Sequence, residues 1–410
     1  MTSKRTPRLT MAACLVAAVS VSCASPSVEV SSSPSLTQSS ASTHRTSQST
    51  ATAVPSTDST KITKPTCADL ASALTLPQRV GQLFMVGISS SGMTASNARV
   101  LAKSNAGSVI FLGNSRAGAA SVRRLVARVR SATPTPQKVR TMVTVDQEGG
   151  TVQRLRGPGF ETIPSARRQA SSSNSKLRRD AKRWGRQLKA AGIDADLAPV
   201  ADVVPTSMVP VNQPIGRLDR GYGPNPKVVA LKAGAFVRGM DEAGIATAVK
   251  HFPGLGRVRG NTDFVSRVVD NQTKRRSADL QGFGGAVSAR VDMVMVSSAY
   301  YTKIDPTRRA AFSPTIINQM IRSDLKFGGV VISDDLSARA VQDLTPGRRA
   351  LLFLQAGGDL VIVGNPKSAA AMTSAVIAEA KRSPRFAATV QTKVARVLAM
   401  KARRGLASCS

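Results

Sequence analysis

From residue 82 onward the chain alternates two hydrophobic patterns. Short, continuous apolar runs occupy 82–88, 107–112, 141–145, 194–199, 245–250, 292–297, 329–333 and 359–364. Between them lie longer stretches whose apolar positions recur every three or four residues: 95–104, 117–131, 177–191, 226–243, 278–289, 314–323, 348–356 and 368–381. A continuous apolar run suits a parallel strand buried on both faces, and the three-to-four spacing suits a helix with one buried stripe. Strand and helix in alternation imply parallel strands joined by right-handed crossovers. Eight such units over roughly 330 residues predict an α/β fold, a single (β/α)₈ barrel of the TIM type. An open doubly wound sheet stays possible, because counting units does not show closure. No G-x-G-x-x-G fingerprint follows the first strand, which weakens that alternative.

The first 66 residues follow neither pattern. Lys4, Arg5 and Arg8 precede an apolar stretch over 11–21, the layout of a secretory signal peptide spanning 1–23. The stretch is short for a permanent membrane span. Cys23 follows Ser20-Val21-Ser22 and is a lipidation candidate, although Ser20 stands where a lipoprotein signal carries an aliphatic residue. Ordinary cleavage near Ala24 is the alternative. Either route places the mature protein outside the cytoplasm, secreted or lipid-anchored to the outer face of the membrane, and its only membrane contact would be that anchor. Residues 24–66 are rich in Ser, Thr, Ala and Pro, too polar to offset their ordering entropy, and read as a disordered linker. His44 lies in it with no predicted role. The barrel domain takes 67–410. Cys14 and Cys23 belong to the signal region, so Cys67 and Cys409 remain, one at each end of the barrel. A closed barrel brings its first and last elements together, and an oxidising compartment then predicts a disulfide between them.

Lys and Arg number 57 against 24 Asp and Glu, a formal charge of +33. So large an excess attracts polyanions, here anionic envelope polymers; a basic composition without any particular partner is the plainer reading. Nucleic acid fits poorly, since the chain is exported and only 4% aromatic, with no stacking motif.

Chemistry concentrates where two runs end. Lys250-His251-Phe252-Pro253-Gly254 closes the fifth run and Ser333-Asp334-Asp335-Leu336 closes the seventh. Barrel enzymes carry their catalytic groups at the C-terminal ends of strands. Taken singly, Asp334 reads equally well as a helix cap and Lys250 as a solvated loop residue. Together, at equivalent strand ends, they point to catalysis.

These segments, with Leu-Pro-Gln-Arg-Val-Gly-Gln-Leu-Phe-Met-Val-Gly at 76–87, Val-Asp-Gln-Glu-Gly-Gly-Thr-Val-Gln-Arg at 145–154, Lys-His-Phe-Pro-Gly-Leu-Gly at 250–256 and Val-Ile-Ser-Asp-Asp-Leu-Ser at 331–337, resemble glycoside hydrolase family 3. Within it they resemble the bacterial β-N-acetylglucosaminidase (NagZ-like) branch, from about residue 74 to 406. The resemblance implies a (β/α)₈ barrel, a retaining mechanism without metal or organic cofactor, and a carbohydrate substrate ending in β-linked N-acetylglucosamine, with cell-wall fragments the expected source. It implies Asp334 as the nucleophile and Asp146, Arg154, Arg220, Lys250 and His251 as the groups that hold the sugar. The spacing before Arg220 is two residues longer than in the family.

One stretch departs from the pattern. The family carries Lys-His-Phe-Pro-Gly-His-Gly, four residues, then Asp-Ser-His, whose last histidine is the acid/base. Here Leu255 replaces the first loop histidine and Asn261-Thr262-Asp263 replaces Asp-Ser-His. His251 is the only histidine in the barrel, so Asp263 becomes the candidate acid/base, a carboxylic acid being the common general acid of glycosidases. Three other readings stay open: a catalytically weak or inactive relative that binds wall glycan, a β-glucosidase or β-xylosidase of the same family, and a basic envelope-adhesion protein. Retention of Asp334 argues against the binding readings, because a binder has no need of a nucleophile.

Overall fold

The eight apolar runs are the eight strands of a closed parallel barrel in the computed structural model, which describes residues 64–410. They are β1 (Phe84–Ser89), β2 (Ser108–Leu112), β3 (Met142–Val145), β4 (Ala195–Asp196), β5 (Ala246–Phe252), β6 (Met293–Val296), β7 (Val330–Asp335) and β8 (Leu360–Val363). Each pairs in parallel with its sequence neighbours, and β1 closes on β8 with Phe84 opposite Val361. Closure removes the open-sheet alternative. The strands are almost wholly buried, as continuous apolar runs require.

Helices cover the outside and follow the periodicity within three residues. Helix Asn174–Ala190 shows the local logic. Ser173 caps it by accepting the amide of Lys176, a side-chain partner for one of the four unpaired N–H groups at a helix start. Leu177, Ala181, Trp184 and Leu188 form its buried stripe, and Trp184 packs on Phe236 of helix Pro226–Glu242 with ring centroids 6.4 Å apart.

The elements differ locally from the sequence reading. Gln82 ends helix Leu76–Gln82 and is not the start of β1. β4 keeps only two residues of the run 194–199, although Leu197 N–H still donates to Val145 O and Ala198 O accepts the amide of Ala248. The stretch 278–289 divides into a 3₁₀ turn and helix Gln281–Ser288, and Thr315–Asp324 is wound as a π-helix. A last helix, Pro384–Arg403, packs against helix Cys67–Ala73.

The floor of the barrel is polar. Asp194, Asp292 and Asp359 each immediately precede an even-numbered strand. Each accepts a backbone N–H from the strand before it: Val143 at 2.8 Å, Thr247 at 3.0 Å and Val331 at 2.8 Å. Each carboxylate also meets arginine: Arg130, the pair Arg403 and Arg404, and the pair Arg322 and Arg396. Beside β2 buried Lys401 takes the equivalent place, with Nζ donating to Gln82 Oε1 and to the carbonyls of Gly107 and Arg140.

The expected disulfide is present: Cys67 and Cys409 are bonded across a sequence separation of 342. The backbones pair beside it, Cys67 N–H donating to Ser410 O and Ser410 N–H to Pro65 O. The signal peptide at 1–23, Cys23 as a lipid site, His44 and all but the end of the linker at 24–66 lie outside the described residues.

Candidate active site

A cavity of about 430 Å³ opens at the C-terminal ends of the strands. Its deepest polar group is an ion-pair cluster built from three segments. Lys250, at the end of β5, places Nζ 2.6 Å from both Asp146 Oδ1 and Glu148 Oε1. Asp146 follows β3 directly, and Glu148 lies on a short hairpin, Gln147–Gly149 against Val152–Gln153. The hairpin turns at Gly150 and Thr151; just before it, Gly149 has φ +103° and an added Cβ would fall 2.2 Å from Pro164 O, so only glycine fits there. Arg220 grips Glu148 with two hydrogen bonds of 2.8 Å and gives a third to Pro214 O.

His251 lines the same cavity as Lys250, and the peptide between them is cis. Its Nδ1 lies 2.7 Å from Asp202 Oδ2 and its Nε2 3.4 Å from Arg220 Nη2. Asp202 faces Nδ1 as a carboxylate acceptor, so the Nδ1 proton is donated to it. Asp202 Oδ1 also accepts the N–H groups of His251 and Leu255. Leu255, where the family carries histidine, is therefore a buried backbone anchor. Arg154 reaches the cavity from the end of the hairpin and donates to Asn114 Oδ1 at 3.4 Å.

The electrostatics divide the carboxyls into two groups. Burial alone would raise Glu148, but Arg220 and Lys250 hold it far below the usual carboxylate range. Lys250 is desolvated too, yet Asp146 and Glu148 raise it and keep it an ammonium. Asp334 differs. It projects from the end of β7 into the cavity, and its one hydrogen bond comes from the amide of Asp335 at 2.9 Å. Burial pushes it up to about 6; the His251 ring works against that rise and the Asp263 carboxylate adds to it. Asp335 is raised by burial as well, but accepts the amides of Ser337 and Gly364 at 2.7 and 2.8 Å. It is spent on its own turn.

Asp263 enters from the loop after β5. Asn261 Oδ1 accepts the amide of Asp263, so Asn261 shapes the turn through the backbone. The loop is docked on the segment that follows Asp334, with Arg339 N–H donating to Asp263 O and Ala340 N–H to Thr262 O. Among the described residues no cation or hydrogen-bond donor holds the Asp263 carboxylate. Asp334, with a single backbone amide, and Asp263, with no donor on its carboxylate among the described residues, thus share one cavity with a cluster of fixed hydrogen-bonding groups.

All seven predicted catalytic and binding residues line this cavity. The sequence reading missed Asp202, and gave Glu148 no part in holding Lys250 and Arg220. Asp219, the other carboxylate near Arg220 in sequence, is half exposed and pairs with Arg167 at 3.4 Å.

The family model for the glycosyl hydrolase family 3 N terminal domain matches residues 75–400. The chain belongs to glycoside hydrolase family 3. A β-hexosaminidase from Idiomarina loihiensis is 33% identical over 296 residues, covering 70% of this chain and 85% of that protein. Among solved structures, a β-N-acetylhexosaminidase from Beutenbergia cavernae superposes with a TM-score of 0.78 at 42% identity, covering 80% of this chain and 99% of the other. M. tuberculosis LpqI superposes with a TM-score of 0.70 at 27% identity, covering 83% and 97%. The chain is a glycoside hydrolase, and the cavity at the barrel mouth is where a member of the family has room for a saccharide.

Proposed function

We propose that this family 3 barrel is a retaining β-N-acetylhexosaminidase that releases a terminal β-linked N-acetylglucosamine, with Asp334 as nucleophile and Asp263 as acid/base. The observation that carries it is the pair of loosely held carboxyls facing one cavity, Asp334 with a single backbone amide and Asp263 with no donor among the described residues. The other carboxylates there are held by lysine, arginine or histidine, or, for Asp335, by two backbone amides. The β-hexosaminidases among its relatives support the choice of sugar.

The buried cluster of Asp146, Lys250, His251 and Arg220 orients the terminal sugar by hydrogen bonds. Asp263, protonated, gives its proton to the glycosidic oxygen as that bond breaks. Asp334, ionised, attacks the anomeric carbon and forms a glycosyl ester. Asp263, now a carboxylate, takes a proton from water, which attacks the same carbon and releases Asp334. The second substitution restores the original configuration. A carboxylate at this position repels phosphate as acceptor, so the second step is hydrolysis. The signal-like segment at 1–23 with Cys23, and the basic composition, support action outside the cytoplasm on cell-wall-derived sugars, close to anionic envelope polymers.

The test is turnover of 4-nitrophenyl β-N-acetylglucosaminide beside the glucoside and xyloside, with the anomer of the first product followed by NMR. We expect the N-acetylglucosaminide to be preferred and the β-anomer to appear first. Asp334→Asn should abolish turnover in a folded protein, and a mechanism-based fluorosugar should label Asp334. Labelling at Asp335 or Asp263, or preference for the glucoside or xyloside, would overturn the assignment.

A further inference from the structure

The chain has eleven Phe, three Tyr and one Trp, all within the described residues. Only Phe264 among them is exposed; 78% of its surface is open to solvent. An aromatic ring buries 150–250 Å² when it packs, so one left out on a fixed support contributes nothing to the core. Phe264 is also fixed. Its amide donates to Asn261 O, that of Val265 donates to the same carbonyl, and the loop is tied to Arg339 and Ala340. It lines the catalytic cavity and directly follows Asp263.

That position has a meaning set by the reaction. On that reading the sugar being released lies deep, against Asp146, Lys250 and Arg220. Whatever leaves must pass outward beside the group that protonates it. The residue next to Asp263 on the open side therefore faces the leaving group. We propose that Phe264 is a stacking platform for a pyranose ring in the leaving group, and so a specificity residue for saccharide aglycones over small ones. The proposal rests on Asp263 serving as acid/base in an N-acetylglucosaminidase. The axial C–H bonds of one sugar face would lie against the ring, an apolar contact that excludes water from the bond being protonated. Val265, also part-exposed, extends the apolar surface.

The experiment compares methyl β-N-acetylglucosaminide with N,N′-diacetylchitobiose. Both leave as aliphatic alcohols that need a proton from Asp263, and only the second carries a ring beyond the scissile bond. With the full-length protein, Phe264→Ala should lower kcat/KM for the disaccharide about tenfold, chiefly through KM. The methyl glycoside should be unaffected, and Phe264→Tyr should restore the disaccharide. Phe264→Leu, which keeps apolar bulk without the ring, should behave like the alanine variant if stacking is the cause. Because the side chain is exposed, all three variants should unfold at the wild-type temperature. Equal losses on both substrates would make Phe264 a support of the Asp263 loop and overturn the proposal. So would an alanine variant indistinguishable from wild type on both. A wild-type protein inert towards both sugars would sink the parent reading instead, and this one with it.

Discussion

Asp334 and Asp335 are neighbours in the chain and differ in what their carboxylates meet. Asp335 is turned onto two backbone amides; Asp334 receives one and otherwise faces the cavity. Asp334 must be ionised to attack, and burial has raised it to about 6. The kcat/KM profile should therefore fall on the acid side with a midpoint near that pH, as a property of the Asp334–Asp263 pair. A rate flat down to pH 4 would contradict it. Asp263→Ala should slow substrates with poor leaving groups roughly 10²–10⁴-fold more than nitrophenyl glycosides, because only the former need a proton. Azide, a small anion able to enter the vacated space, should partly restore the variant and yield the β-glycosyl azide. Equal slowing of both substrate types without azide rescue would remove Asp263 from the mechanism. Sequence made Asp334, Lys250 and His251 legible because each stands at the end of an apolar run. Asp202 and Glu148 were not legible as partners. Their roles come from pairings 49 and 72 residues apart that only the closed barrel creates.

At the scale of elements, the runs announced themselves where both strand faces are buried. The exceptions are instructive. β4 keeps only two residues of its apolar run, and the π-helix over Thr315–Asp324 looks like any apolar stripe in sequence. The docked Asp263 loop has no periodicity at all. Its position follows from backbone hydrogen bonds to 339–340 that no local pattern encodes. Asp196, the last residue of β4, carries a consequence of complete burial. Its Oδ1 accepts the amide of Gln147, its Oδ2 has no partner among the described residues, and burial raises it to about 8 against the opposing effects of that amide and Lys250. The folded state thus keeps a proton that the unfolded chain releases near pH 4. Stability linked to Asp196 is complete below pH 4 and declines as pH rises to about 8. Asp196→Asn should remove that decline, so its unfolding midpoint relative to wild type should improve from pH 4 to pH 8. A difference independent of pH would show that Asp196 is ionised in the fold.

For the molecule as a whole, two devices brace the closed barrel: the arginine-held aspartates of its floor and the disulfide between the chain's two ends. The aspartates stand at the first positions of three apolar runs, so they were visible in sequence. Their arginine partners were not, in a chain with so many cations to choose from. The Cys67–Cys409 link spans 342 residues, and restricting an unfolded loop of that length stabilises by at most about 6 kcal/mol in the chain-entropy account. Cys67→Ser with Cys409→Ser should lower the unfolding temperature by several degrees while leaving kcat/KM unchanged, because the bridge lies far from the cavity. Calorimetry on oxidised and reduced wild type should show the same difference. Unaltered melting would mean that the floor and the terminal helices already fix the ends.

The place where the bridge sits also gives the enzyme a front and a back. Leu406 O accepts the amide of Arg140, just ahead of β3, so the C-terminal segment and the cysteine bonded to it lie on the side where strands begin. The cavity opens where strands end. Residue 64, beside the bridge, therefore stands at the rear of the catalytic body, on the side away from the cavity. Coated onto a bead through that end, the enzyme should digest a dissolved oligosaccharide as fast as it does in free solution. Coupled through a cysteine engineered beside Phe264, it should fall silent.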